Sequence, residues 1–97
     1  EWKTYYKSGK LKEKGNYKDG KGDGLWEGYS KNGKLSWRGH YKNGWLEGIM
    51  KYYRKNGTVK LEGKFKYAEK DGVWKIYKRN GEIKKEIRYK NGKEIRN

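Results

Sequence analysis

The chain has no cysteine and no proline, a single histidine and a single phenylalanine. Without Cys there can be no disulfide and no thiolate metal site, although the compartment stays open. His40 stands alone, so neither a zinc ligand set nor a serine or cysteine triad can be assembled around it. It reads as a surface histidine. No apolar run approaches the ~20 residues that span a bilayer as a helix, and no segment reads as a secretory signal. Acids are scarce as well: 12 Asp and Glu stand against 27 Lys and Arg, for a net charge of +15. Leu, Ile, Val and Phe together supply only 13 of the 97 residues. Taken alone, such poverty of aliphatic bulk at high net charge belongs to disordered chains.

What is present points the other way. Aromatic residues make up 16% of the chain, and they recur in register. Trp2, Trp26, Met50 and Trp74 stand 24 residues apart. Tyr5, Tyr29, Tyr53 and Tyr77 form a second column, and Tyr17, Tyr41, Phe65 and Tyr89 a third. Leu11, Leu35, Val59 and Ile83 keep the same spacing. Four 24-residue units result, at about 2–25, 26–49, 50–73 and 74–97, with no insertion between them. A unit this short cannot bury its apolar face alone and must stack on its neighbours. A buried aromatic removes roughly 150–250 Å² from water, worth ~4–6 kcal/mol at about 25 cal/mol per Å². Rings can therefore replace aliphatic bulk in one folded domain with a thin core of Trp and Tyr.

Each unit carries two turn signals. The first is Ser8-Gly9, Asn32-Gly33, Asn56-Gly57 and Asn80-Gly81, which predicts type I′ hairpins. The second is Asp19-Gly20, Asn43-Gly44 and Asn91-Gly92; the third unit reads Tyr67-Ala68 there, so a different turn is expected. Between the signals, Leu11 to Lys18 and its equivalents alternate as one strand, with Leu11, Gly15 and Tyr17 on one face and the lysines on the other. Gly24 to Lys31 and its equivalents form the second strand. Trp26 and Tyr29 differ in parity, so a bulge or bend is required if both point inward. Gly15, Gly39 and Gly63 sit mid-strand, where a ring can pack over bare backbone. No helix-period stretch is present. The expected fold is all-β: an elongated antiparallel meander of seven or eight short strands, an open solenoid sheet.

The segments Gly15-Asn-Tyr17-Lys-Asp-Gly20 and Gly39-His-Tyr41-Lys-Asn-Gly44, with Gly24-Leu-Trp26 after the first, resemble the MORN repeat. More closely, the Trp-x-x-Tyr-x-x-Asn-Gly-x-Leu pattern is similar to the bacterial variant found in YwqK-type antitoxin repeats. The resemblance covers essentially the whole chain. It implies a β-hairpin array that binds a protein partner or itself, with contact to anionic phospholipid as a further option. It implies no catalytic residues and no cofactor.

The residues point the same way. Asp19 and Asp23 flank a glycine-rich stretch, but Gly20 and Gly22 offer no side-chain ligands where calcium wants six to eight oxygens. A turn is the better reading. Gly20, Gly22 and Gly24 lack the following helix that a phosphate loop uses. Two basic columns do recur: Lys18, Lys42, Lys66 and Lys90, and Lys7, Lys31, Lys55 and Arg79. Such a column places a cation roughly every 10 Å, which suits an anionic surface such as acidic phospholipid or nucleic acid. Lysine also keeps a core-poor sheet soluble. Only five of the 27 basic residues are Arg, so specific nucleic-acid readout is disfavoured.

The residues that depart from the repeat are more distinctive. Trp37 stands where the other units have Glu13, Leu61 and Lys85, and Trp45-Leu46 where they have Lys21-Gly22, Glu69-Lys70 and Lys93-Glu94. With His40 they concentrate rings and apolar bulk in the second unit, a candidate partner-binding set. By parity Trp37 is the core member; Trp45, beside a turn, is the contact residue. The expectation is a non-enzymatic scaffold for protein–protein interaction or self-association, with an anionic-surface binder as the alternative. The chain opens on Glu1 in mid-repeat, which reads as a trimmed or mature fragment. A bacterial cytoplasmic and an exported setting both stay open.

Overall fold

The computed structural model describes residues 1–95; positions 96–97 of the fourth unit lie outside them. Ten strands among these residues form one antiparallel sheet, where the spacing predicts seven or eight; the excess is two strands of two residues each, Trp45–Leu46 and Lys93–Glu94. They are β1 (Trp2–Tyr5), β2 (Leu11–Lys18), β3 (Lys21–Tyr29), β4 (Leu35–Lys42), β5 (Trp45–Leu46), β6 (Gly48–Tyr53), β7 (Val59–Lys66), β8 (Glu69–Tyr77), β9 (Ile83–Lys90) and β10 (Lys93–Glu94). Each pairs with its sequence neighbours, except that the short β5 hangs on β4 while β4 goes on to pair β6. The sheet is an open meander, not a closed barrel. Its principal extents are 46 × 34 × 16 Å. A flat sheet is only a pleat thick, so the 16 Å dimension records twist and curl.

The type I′ geometry expected of the first turn family is found in the second. At Asn32-Gly33 and its equivalents only the glycine takes positive φ, between 86° and 92°. The Gly33 N–H donates to the Ser30 carbonyl and the Ser30 N–H to Lys34. That is a three-residue loop ending in a left-handed glycine, not a type I′ turn. The reason lies in the asparagine side chain. Its Oδ1 accepts the N–H two residues on, at 3.2 Å for Asn32, 3.0 Å for Asn56 and 2.9 Å for Asn80, which fixes it without positive φ. The type I′ pattern belongs to the other turns: Asp19, Asn43 and Asn91 have φ near 53°, each followed by a positive-φ glycine. The third unit does not differ. Tyr67 and Ala68 are held at φ 51° and 64° in the same turn. The Ala68 N–H donates to the Leu46 carbonyl, as Gly44 does to Gly22 and Gly92 to Lys70. Asp19-Gly20 takes the same shape with no such clasp among the described residues, so the two-residue loop between paired strand ends, Lys18–Lys21 and Lys66–Glu69, sets the geometry regardless of residue type.

Two irregularities place the rings. Opposite Gly15 alone, β3 passes Gly24, Leu25 and Trp26 between the pairs Asn16–Asp23 and Lys14–Glu27. β8 repeats this opposite Gly63. The extra residues let each indole fold back flat over the glycine: a Cβ there would lie 2.0 Å from Trp26 or Trp74. The indole N–H then reaches the next carbonyl, Trp26 to Asn16 at 3.1 Å and Trp74 to Lys64 at 3.0 Å. Trp26, Met50, Phe65 and Trp74 form the buried apolar core among the described residues, and of these Trp74 alone is fully buried.

The second irregularity is a bulge at Tyr5, Tyr29, Tyr53 and Tyr77. It does not turn that column inward. The Tyr77 hydroxyl donates to Glu62, and Glu62 pairs with Lys51 on the charged face. The rings are thus divided between two faces.

Candidate functional site

Strand register assigns every side chain to one of two surfaces. On the charged face, Lys3, Lys14, Glu27, Arg38, Lys51, Glu62, Lys75 and Glu86 stand opposite one another in sequence across the sheet. Glu27 lies 3.6 Å from Lys14 and 3.7 Å from Arg38, and Glu62 is 3.7 Å from Lys51. Lys14 is held above the usual lysine range, first by the Tyr29 phenol and then by Glu27. Tyr77, bonded to Glu62 and partly desolvated, is pushed up to about 12.

The other face carries a ladder of edge-to-face rings. Trp2–Tyr17, Tyr17–Trp26 and Trp26–Tyr41 have centroids 5.3, 5.2 and 5.8 Å apart. Phe65–Trp74 and Trp74–Tyr89 follow at 5.1 and 6.3 Å. Each such pair contributes about 0.5–1.5 kcal/mol beyond its buried area. Met50 interrupts the series, lying over Gly39 where an indole lies over Gly15 and Gly63.

The candidate residues of the second unit do not form one patch. Trp37 and Leu46 belong to the aromatic face and pack against Met50, Phe65 and Trp74. Trp37 stands across from Gly28, where a Cβ would come within 1.9 Å of its Nε1. In the other units this cross-strand pair is Thr4–Glu13, Tyr52–Leu61 and Ile76–Lys85. The enlarged residue is therefore matched by a vacated one. The repeat columns do not single out Gly28, although its departure from Thr, Tyr and Ile at that position is a signal in the sequence. His40 is exposed on the opposite, charged face, near Arg38, Ile49, Lys51 and Tyr53.

Trp45 is 55% exposed and shares a hollow with Lys42, Asn43, Glu47 and Tyr67. Tyr67 is 68% exposed, and its N–H donates to the Glu47 carboxylate at 3.1 Å. Sequence marks Tyr67 only as part of an irregular turn, not as a contact residue. The available signal is a tyrosine where the other units have Asp or Asn.

The lysines 18, 42, 66 and 90 lie at the same end of the strands on the charged face, opposite Lys21, Trp45, Glu69 and Lys93. None enters an ion pair among the described residues. A second group of cations lines a single hollow. Arg54, Lys55, Lys60 and Arg79 surround a hollow of about 510 Å³ with Tyr53 and Asn56. Arg54 is fixed there by its Nη2 bond to the Tyr77 carbonyl at 2.6 Å, while its buried Nε has no hydrogen-bond partner among the described residues.

The decisive comparison is with the MORN repeat variant model, which matches residues 1–19, 22–43, 46–67 and 70–91. The chain belongs to the MORN repeat variant family. The last three matches start 24 residues apart, in step with the columns above, and each ends in the turn that clasps the preceding unit. No curated protein and no solved structure matches the chain. MORN repeats are binding and scaffold modules of a non-catalytic repeat type. Among the described residues of this MORN array, no group of His, Cys, Asp and Glu is placed to hold a metal ion. No helix among them is long and apolar enough to cross a membrane.

Proposed function

We propose that this array is a non-enzymatic scaffold that engages an acidic protein partner through Trp45 and Tyr67. The observation that carries the reading is Tyr67. A bulky residue in the left-handed region costs about 1–2 kcal/mol, and the other units avoid the cost with Asp or Asn. Here the strained ring is exposed beside an exposed tryptophan, and backbone strain of this kind concentrates at functional positions. Trp and Tyr are the residues most often found at interface hot spots. Lys42 beside them, and +15 overall, favour an acidic partner and oppose self-association of like-charged copies. Masking an acidic toxin surface, or acting as an exported binding module, would be instances of this role. Replacing Trp45 and Tyr67 together by Ser should abolish pull-down of the partner while the chain stays folded. Undiminished binding by that variant refutes the site. Leu46 is left intact in this test because it packs against Met50.

A second reading is favoured by the Arg54 hollow: an anionic-surface binder that uses Arg54, Lys55, Lys60 and Arg79, with the Lys18, Lys42, Lys66 and Lys90 row as an outlying contact. Its affinity for phosphatidylserine vesicles should fall steeply between ~50 and 200 mM salt, as charge-driven binding does. Arg54→Gln with Arg79→Gln should remove most of it. A flat salt response rejects this reading.

A further inference from the structure

The aromatic face contains the same notch twice, 48 residues apart, and the two copies differ in what occupies them. In the second copy, Lys70 reaches over the rings. Its Nζ lies 4.9 Å from the Trp74 centroid and 4.9 Å from the Tyr89 centroid. A cation at that distance is attracted by the negative ring faces.

In the first copy the equivalent rings are Trp26 and Tyr41, flanked by Tyr17, but the residue at the lysine position is Gly22. These four residues, with Glu13 and Gly44, line a hollow of about 200 Å³. Gly22 lies directly beside the rings, its absent Cβ 3.5 Å from Tyr41 and 3.6 Å from the Trp26 Nε1. Those are ordinary contact distances, and Gly22 does not have positive φ. Neither strain nor crowding therefore requires a glycine there.

Glu13 supplies the complementary observation. It is half-buried on the aromatic face and makes no ion pair among the described residues, in a chain with 27 basic side chains. Its counterpart in the filled copy is Leu61. Its carboxylate is close enough to Tyr41 to add to the upward shift that burial gives that phenol. One copy therefore has a cation and no carboxylate, and the other has a carboxylate and no cation.

The geometry points to the Tyr17–Trp26–Tyr41–Glu13 notch as a binding site for a primary alkylammonium group, the chemistry of a lysine side chain supplied by another molecule. The rings attract the cation, Glu13 accepts its N–H bonds, and Gly22 leaves the space that a lysine stem fills in the second copy. This inference is independent of the Trp45–Tyr67 surface, because strand register puts Trp45 on the opposite face with Lys42.

The test is a titration of the whole chain with n-butylammonium, followed by NMR at the Trp26 indole N–H and the Tyr17 and Tyr41 rings. These signals should shift saturably, and n-butanol at equal concentration should leave them in place. Glu13→Gln should weaken binding about tenfold, the scale of one lost charge-assisted hydrogen bond. Gly22→Lys should abolish it by filling the notch from within, in a chain whose other indole signals keep their positions. Tetramethylammonium, which has no N–H to give Glu13, should bind more weakly. No shift at Trp26 in the folded chain, an equal shift with butanol, or unchanged binding in Glu13→Gln would overturn the assignment. Tighter binding of tetramethylammonium would overturn the lysine class in favour of a quaternary headgroup. Trp45→Ser with Tyr67→Ser should leave the titration unchanged, so this site and the partner surface can fail separately.

Discussion

Trp26 and Trp74 occupy the same repeat position, lie over equivalent glycines and donate to equivalent carbonyls, yet their surroundings have diverged. Trp74 is 1% exposed and joins a cluster with Met50, Phe65, Leu61 and Trp37, beneath the Lys70 side chain. Trp26 is 4% exposed and borders an uncapped notch beside a carboxylate with no ion pair among the described residues. The backbone frame is reused, while single side-chain changes at positions 13, 22, 61 and 70 cap one copy with a lysine and leave the other without one. In a repeat protein the frame is thus separable from the surface it presents.

The largest contrast should come from deleting the two indoles. Trp74→Ala should cost about 3–5 kcal/mol in urea unfolding, and Trp26→Ala less, because fewer neighbours lose contacts. Equal losses would mean that the two environments do not differ energetically. Gly63→Ala and Gly15→Ala come next, at about 1–3 kcal/mol each from overpacking, since either Cβ would collide with a ring at 2.0 Å. Gly63→Ala should be the worse, because Trp74 has less room to tilt.

The clasping turns provide a contrast of opposite sign. Copying the Asn43-Gly44 type of turn into the third unit, as Tyr67→Asn with Ala68→Gly, should raise the melting temperature. The gain should be about 1–2 kcal/mol, from relief of left-handed strain. A loss of stability would show that Tyr67 contributes more by contact than its strain costs.

The smallest effect concerns charge. Tyr77 faces Glu62, whereas Tyr29 faces Lys14 at the same repeat position. The Tyr77 phenol titrates at about 12 when folded against an ordinary 10.0. Its stabilising contribution is therefore fully present below about pH 10 and is lost as pH rises towards 12. Tyr77→Phe should remove that part of the alkaline loss, as measured by unfolding at successive pH values, and Tyr29→Phe should leave it intact.

The columns made most of the fold legible: the repeat length, the Leu11–Lys18 type of strand and the glycines under the rings follow from spacing and alternation alone. By contrast, β3 and β8 begin earlier than the Gly24 position, at Lys21 and Glu69, and the short β5 and β10 carry no pattern of their own. The turn geometries were not legible from dipeptides. Asn-Gly satisfies two different turns, and whether the asparagine adopts positive φ or bonds through its side chain depends on strand register. Tyr67 and Ala68 are held in the left-handed region by the two-residue loop between the paired Lys66 and Glu69, a matter of register that the dipeptide itself does not show. Parity identifies Trp37 as facing the core but cannot supply its partner, because Gly28 lies on another strand. The notch is hidden in the sequence for a related reason. Gly22 and Lys70 look like ordinary variation in a turn-proximal column until the rings beside them have positions.

Met50 carries a consequence of a different kind. It is the one member of its column without an indole, and it divides the ring ladder into two groups, Trp2–Tyr17–Trp26–Tyr41 and Phe65–Trp74–Tyr89. A thioether has no near-ultraviolet transition to couple with its neighbours. The chain should therefore behave as two chromophore sets, with Trp37 reporting alongside the second. Near-ultraviolet circular dichroism of Trp→Phe variants would then report on each half separately, an internal optical boundary within a single sheet.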